Sequence, residues 1–91
     1  MPKTDYKILE QRIKHAKEKV TVGAKYCHYK SPDKNYEIVA IALNEETEEP
    51  VVVYKPLYDQ GHLSWLRTLE NFLEEVEQED GTKVPRFSKV K

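Results

Sequence analysis

Val51-Val52-Val53-Tyr54-Lys55-Pro56-Leu57-Tyr58 is the run on which the fold turns. Three successive β-branched residues and two tyrosines suit a pleated, half-buried surface. Turn-prone residues bound it, Asn44 to Pro50 before and Asp59-Gln60-Gly61 after, so its length is that of one strand and not of a helix. It reads as the central strand of a small sheet.

Two strands are expected before it. Ala24 to Lys30 places Tyr26 and His28 on one face and Cys27 and Tyr29 on the other. Ser31-Pro32-Asp33-Lys34-Asn35 carries turn chemistry, since proline presets one dihedral and Asp and Asn tolerate the others. Tyr36 to Leu43 then completes a hairpin, and its nearly unbroken apolar run after Glu37 implies that both faces are covered. Glu45, Glu46, Glu48 and Glu49 make a solvated loop. Beyond Gly61, Leu63 to Arg67 reads as a fourth strand, and Thr68 caps a helical turn through Asn71. Asp80-Gly81 signals a type I′ hairpin between Glu75 to Glu79 and Thr82 to Val84, and the tail from Pro85 frays unless Phe87 pins it.

Tyr6, Leu9, Ile13, Ala16 and Val20 recur at steps of three and four, which aligns them on one side of a leading helix. Thr4 or Asp5 caps its start, and Lys14, Lys17 and Lys19 near its end complement the macrodipole. The expected architecture is mainly β with a leading helix, α+β by content. It comprises an amphipathic helix over 4–20, a small five-stranded SH3-like barrel over 22–87 and one short helical turn before the last hairpin, in a single domain 1–91. Closing such a short sheet limits its exposed edges.

At 91 residues the chain has room for one modest core. Its single cysteine, Cys27, permits no intramolecular disulfide, which points to a reducing, cytoplasmic compartment. The longest aliphatic run, Ile38 to Leu43, is too short to cross a bilayer, and the N-terminus lacks the apolar core of a signal peptide. A net charge of −1 argues against binding nucleic acid through bulk electrostatics alone. The charge is nonetheless uneven: residues 1–34 carry nine Lys or Arg against four acids, and residues 35–91 carry six against twelve. Attraction between the two parts of one molecule accounts for this as readily as an anionic partner does.

Gly23-Ala24-Lys25-Tyr26-Cys27-His28-Tyr29-Lys30, Tyr36-Glu37-Ile38, Val52-Val53-Tyr54, Leu57-Tyr58, Trp65-Leu66-Arg67, Phe72-Leu73 and Val84-Pro85-Arg86-Phe87 follow one another in this order. Together they resemble a family of small bacterial domains of unknown function. Its pattern runs Gly-x-Tyr-x-His-Tyr-Lys, Tyr-Glu-Val, Val-Val-Tyr-x-x-Leu-Tyr, Trp-Val-Arg-Pro and Phe, and closes near Val-Pro-Arg-Phe. The likeness spans Val22 to Phe87 and leaves the helix outside. This chain departs from it with Ser31-Pro32-Asp33 in place of glycine, Asn44 in place of histidine and Thr68 in place of proline. The resemblance implies an SH3-like barrel and no particular activity.

Among chemistry-bearing residues, Cys27 and His28 are adjacent, but neighbours on a strand face opposite ways and cannot pair as nucleophile and base. His62 could approach Cys27 from a loop, and His28, His62, Asp59 and Cys27 match no zinc spacing. Isolated glycines build no phosphate loop, so neither a metal nor a cofactor is expected. Glu74, Glu75, Glu77 and Glu79 read as solvated carboxylates. The candidate site is aromatic and basic: His28, Tyr36, Tyr54, Trp65 and Arg67. Arg67 shares a strand face with Trp65 and offers a fork to a carboxylate or phosphate. The opposing reading makes Trp65 a core plug and Arg67 the partner of Glu37 or Glu70. The expected function is a non-enzymatic binding module for a protein or peptide segment. The alternative is a nucleic-acid or nucleotide binder using Lys30, Lys55, Arg67 and the basic helix, and a small enzyme using His28 with Tyr54 ranks third.

Overall fold

The computed structural model describes residues 4–58 and 63–90. In chain order it contains α1 (Tyr6–Lys19), β1 (Lys25–His28), β2 (Ser31–Leu43), β3 (Pro50–Pro56), β4 (Trp65–Thr68), α2 (Leu69–Leu73), β5 (Glu75–Glu77), β6 (Lys83–Pro85) and β7 (Phe87–Lys89). Five strands form one antiparallel sheet in the order β4-β3-β2-β1-β7, and β5 and β6 form a separate ribbon. The chain is thus mainly β with a leading helix. The Val51 run lies inside the sheet as β3, with Val51, Val52 and Tyr54 buried.

The expected closed barrel is not formed. β4 and β7 are the two edges of the sheet, and among the described residues no ladder joins them. Register shifts between Cys27 and His28 and between Ile38 and Ala40 bend the sheet, as inserted residues do. The bend brings the edges together through side chains: the guanidinium carbon of Arg67 on β4 lies 5.4 Å from the ring centre of Phe87 on β7. Phe72 stacks on Phe87 at 4.3 Å, with rings 7° from parallel. These rings fill the curl and hold the edges a side-chain length apart, too far for main-chain hydrogen bonds.

Asp5 caps α1 by accepting the Lys7 N–H at 2.8 Å. Leu9, Ala16 and Val20 of the apolar stripe are buried, while Tyr6 stays 70% exposed. α1 packs on β2 and β3. The acidic loop does more than face water. Thr4 Oγ1 donates to the Glu48 carboxylate at 2.6 Å, and Arg12 Nη1 donates to the Glu48 carbonyl at 3.0 Å. Glu48 has φ +60°, a left-handed conformation uncommon for a residue with a Cβ, and it anchors both ends of this link to the helix.

Three local expectations are corrected. The first hairpin turns at Tyr29-Lys30, because His28 already faces Ser31 while Cys27 faces Asn35. Pro32, Asp33 and Lys34 form a bulge in β2, where the missing N–H of Pro32 costs no ladder bond. The outer face of β2 is not covered either, since Val39 is 44% exposed. The late hairpin is not type I′: Gly81 has φ +88°, and Glu48 is the only non-glycine with positive φ among the described residues, so Asp80 does not take that conformation. Gly81 N–H donates to the Gln78 carbonyl at 2.9 Å, giving an ordinary turn followed by a left-handed glycine. The tail is pinned at Phe87, the alternative to fraying that the sequence offered. Phe87 is buried, and β7 pairs with β1 through Lys89.

Candidate functional site

Residues directly opposed in an antiparallel ladder share a face. Tyr54 opposes Trp65, Val52 opposes Arg67, and Ile38 opposes Tyr54. Trp65 and Arg67 therefore project from the inner, concave face that carries the buried Val52, Ile38 and Tyr54. Tyr36, two residues before Ile38, joins them there. At one end of this face lies a hollow of about 490 Å³ lined by Tyr36, Tyr54, Tyr58, Trp65, Leu66 and Arg67. That volume falls in the range of small-ligand sites, roughly 300–1,000 Å³.

Four of the five sequence-predicted residues thus meet. Tyr36 packs edge-on against Tyr54 at 5.4 Å and against Tyr58 at 5.5 Å, and the Tyr36 and Tyr58 hydroxyls lie 3.1 Å apart. Trp65 is 50% exposed, so it is a rim residue and not a core plug. Arg67 Nε donates to Tyr54 Oη at 2.9 Å, and Nη1 donates to Asn71 Oδ1 at 2.6 Å. Asn71 is itself placed by the α2 cap, because its N–H donates to Thr68 Oγ1 at 3.1 Å. The expected partners Glu37 and Glu70 are not engaged. Glu37 faces Lys55 on the outer side, and among the described residues the one ion pair joins Arg86 to Glu74.

The proton inventory follows from these contacts. Tyr54 Oη accepts from Arg67, which leaves its own O–H to donate elsewhere. Between Tyr36 and Tyr58, one hydroxyl donates to the other and the acceptor keeps a proton to offer. Burial first, then the Tyr58 hydrogen bond, pushes the Tyr36 phenol up to about 12 and keeps it neutral. The hollow therefore combines aromatic walls with phenolic O–H and guanidinium N–H donors, a set that suits an anionic oxygen.

His28 stands apart from the lining. Its ring packs edge-on against Phe87 at 5.1 Å and beside Tyr29 at 4.7 Å, while Nδ1 accepts the Lys30 N–H at 3.2 Å. Burial, then the charges of Arg67, Arg86 and Lys30, hold its pKa below the ordinary value. The nucleic-acid cations diverge as well: Lys55 is on the outer face, and Lys30 Nζ sits 5.9 Å over the Tyr29 ring. Cys27 is half-buried and points away from His28. Asp59 and His62 lie outside the described residues. Among the described residues, no three His, Cys, Asp or Glu side chains gather as a metal site, and no helix is long and apolar enough to cross a membrane.

Two contributors escaped the sequence reading. Phe87 touches His28, Tyr36, Tyr54, Phe72 and Arg67, a place behind the site that goes beyond the pin for the tail expected from the sequence. Tyr58 had a usable signal, since it lies four residues after Tyr54 and so has the same parity along an extended chain.

The family described as a protein of unknown function, DUF1653, matches residues 24–89. That span agrees with the motif likeness from Val22 to Phe87 and leaves α1 outside it. A crystal structure of a protein belonging to DUF1653 from Bordetella bronchiseptica is 34% identical. The alignment covers 79% of this chain and 90% of that chain, with a TM-score of 0.65. No curated protein matches the chain.

Proposed function

We propose that this chain, which belongs to the DUF1653 family, is a non-enzymatic binding module that takes a protein or peptide segment carrying a carboxylate. The carrying observation is a half-buried guanidinium, Arg67, with no carboxylate partner among the described residues, set in a hollow beside the half-exposed Trp65. Trp65 and the tyrosines supply apolar contact area, and Arg67 with the phenols receives the acid. The SH3-like description of the fold belongs to this proposal too. Short antiparallel strands curl until β4 and β7 meet through side chains, a geometry that presents aromatic rings along a shallow groove. An enzymatic reading finds less support, because His28 is not among the residues lining the hollow.

Trp65 is the only tryptophan, so its emission reports on the site directly. Random peptides displayed on phage should yield binders that combine an acidic with an aromatic or aliphatic residue. These binders should shift Trp65 emission to the blue, and Trp65→Ala or Arg67→Gln should abolish binding while the far-UV spectrum stays native. Failure to select any such peptide, or binders indifferent to both substitutions, overturns the reading. Tight binding of a single-stranded oligonucleotide that collapses with added salt would replace it with the nucleic-acid alternative.

A further inference from the structure

The hollow is lined by three consecutive residues of one strand, Trp65, Leu66 and Arg67. Successive strand residues point to opposite faces, so a space that meets all three borders the main chain between them. β4 has a single neighbour in the sheet, β3, and its other side carries no ladder among the described residues. From this juxtaposition we propose that the ligand's backbone extends the sheet: an acidic peptide segment pairs antiparallel with the free edge of β4. The inference rests on the peptide-binding reading above and specifies how that site works.

β4 is short and carries the inward-facing charge of Arg67, but it lacks the other protections of an exposed edge. Its sequence, Trp-Leu-Arg-Thr, contains no proline, glycine or lysine, and its register with β3 runs without a shift from Val51–Thr68 to Tyr54–Trp65. Trp65 and Leu66 are 50% and 64% exposed, on opposite faces of the strand, so an added strand finds apolar contacts on both sides. The opposite edge, β7, has only three residues and ends in Lys89.

Charge identifies the occupant. Arg67, the cation that lines the hollow, has no carboxylate partner among the described residues. An incoming carboxylate thus enters a positive field. A second copy of this chain pairing through the same edge brings no acid, because β4 has none. Antiparallel addition continues the order of the existing sheet, and it sets the sequence of the ligand. The residue opposite Arg67 is acidic, the next, opposite Leu66, is aliphatic, and the third, opposite Trp65, is aromatic.

The test compares two blocked pentapeptides of equal composition, Thr-Glu-Val-Phe-Thr and its reverse, Thr-Phe-Val-Glu-Thr, on the whole chain. Trp65 emission gives affinity, and amide hydrogen exchange gives protection along β4. The forward peptide should bind about tenfold or more tightly than the reverse. It should slow exchange at alternate β4 amides, and N-methylation at alternate peptide positions should abolish its binding. Equal affinities, a preference for the reverse peptide, unchanged β4 exchange, or tolerance of N-methylation at every position each overturns the strand addition. So does protection of β4 that depends on protein concentration and needs no peptide. These outcomes remain distinct from failure of the binding reading itself, which is judged by phage selection and by the Trp65→Ala and Arg67→Gln variants.

Discussion

Phe87→Ala tests the packing that supports the whole site. Phe87 is 7% exposed, stacks on Phe72 at 4.3 Å, and receives the edges of His28 at 5.1 Å, Tyr54 at 5.4 Å and Tyr36 at 6.0 Å. Truncating a core phenylalanine costs about 3–5 kcal/mol. Aromatic pairs add ~0.5–1.5 kcal/mol each beyond area burial, though contributions from touching rings do not simply sum. The expected loss is therefore ~4 kcal/mol, at the middle of the truncation range or above. A domain of this size has a total stability of roughly 5–13 kcal/mol, so the variant is left marginal. Its Tm should fall by ~15–30 °C. Urea unfolding followed by far-UV circular dichroism gives the free energy, and an unchanged slope would show that both proteins unfold between comparable states. A loss below about 1 kcal/mol would refute the reasoning, because no mechanism for a buried, stacked ring is that gentle. β7 would then be an ornament on the sheet and not the strand whose ring packs against Tyr36 and Tyr54 of the hollow.

Tyr54→Phe deprives Arg67 Nε of its acceptor. Since Arg67 is only half-buried, the cost should sit near the low end for bonds to charged groups, about 1.5 kcal/mol by urea unfolding, and a change under ~0.5 kcal/mol would show that water replaces the phenol. His28 makes stability pH-dependent in a definite direction. Its folded pKa is lowered from 6.5, first by burial and then by Arg67, Arg86 and Lys30, so below that value the unfolded chain binds the proton more readily. Stability should be full above 6.5 and decline as pH falls toward the lowered folded pKa, and His28→Gln should remove that part of the slope. If the slope persists in the variant, His28 is not its source. The Tyr36 phenol should ionise near 12, so subtracting the phenolate absorbance titration of Tyr36→Phe from that of the parent should leave a step at that pH. A step near the ordinary value of 10 would contradict its burial and its bond to Tyr58.

What the sequence revealed was set by strand parity and helical period. Alternation along β4 puts Trp65 with Arg67, whereas the register of three strands is what brings Tyr36 and Tyr54 to the same face. The same arithmetic located α1, whose Leu9, Ala16 and Val20 are buried as their spacing required. Quantities that depend on long-range packing were not legible. Whether five strands close into a barrel depends on their cumulative twist and on what fills the interior, and here Phe72 and Phe87 hold the edges apart. Turn chemistry at Pro32 and Asp33 was recognised, but a bulge uses the same residues as a turn, and only the pairing of Ser31 with His28 distinguishes them. Charge pairing points Arg67 to a carboxylate, whereas geometry supplies a phenol and an amide. His28 sits beside Phe87, away from the hollow, because the curl interposes this ring, whose place against the site depends on long-range packing.

The meeting of Arg67 with Phe87 has a mechanical consequence. A cylinder stitched all round by amide hydrogen bonds has a girth set by its strand count and shear. The open sheet here has no such constraint between β4 and β7, where the direct contact is a cation on a ring, worth about 0.5–2 kcal/mol, beside the rings already packed on Phe87. The spacing of the two edges is therefore set by side-chain packing around the anchored Phe87 and not by strand count, so a change of side chain at position 67 should alter it with every ladder intact.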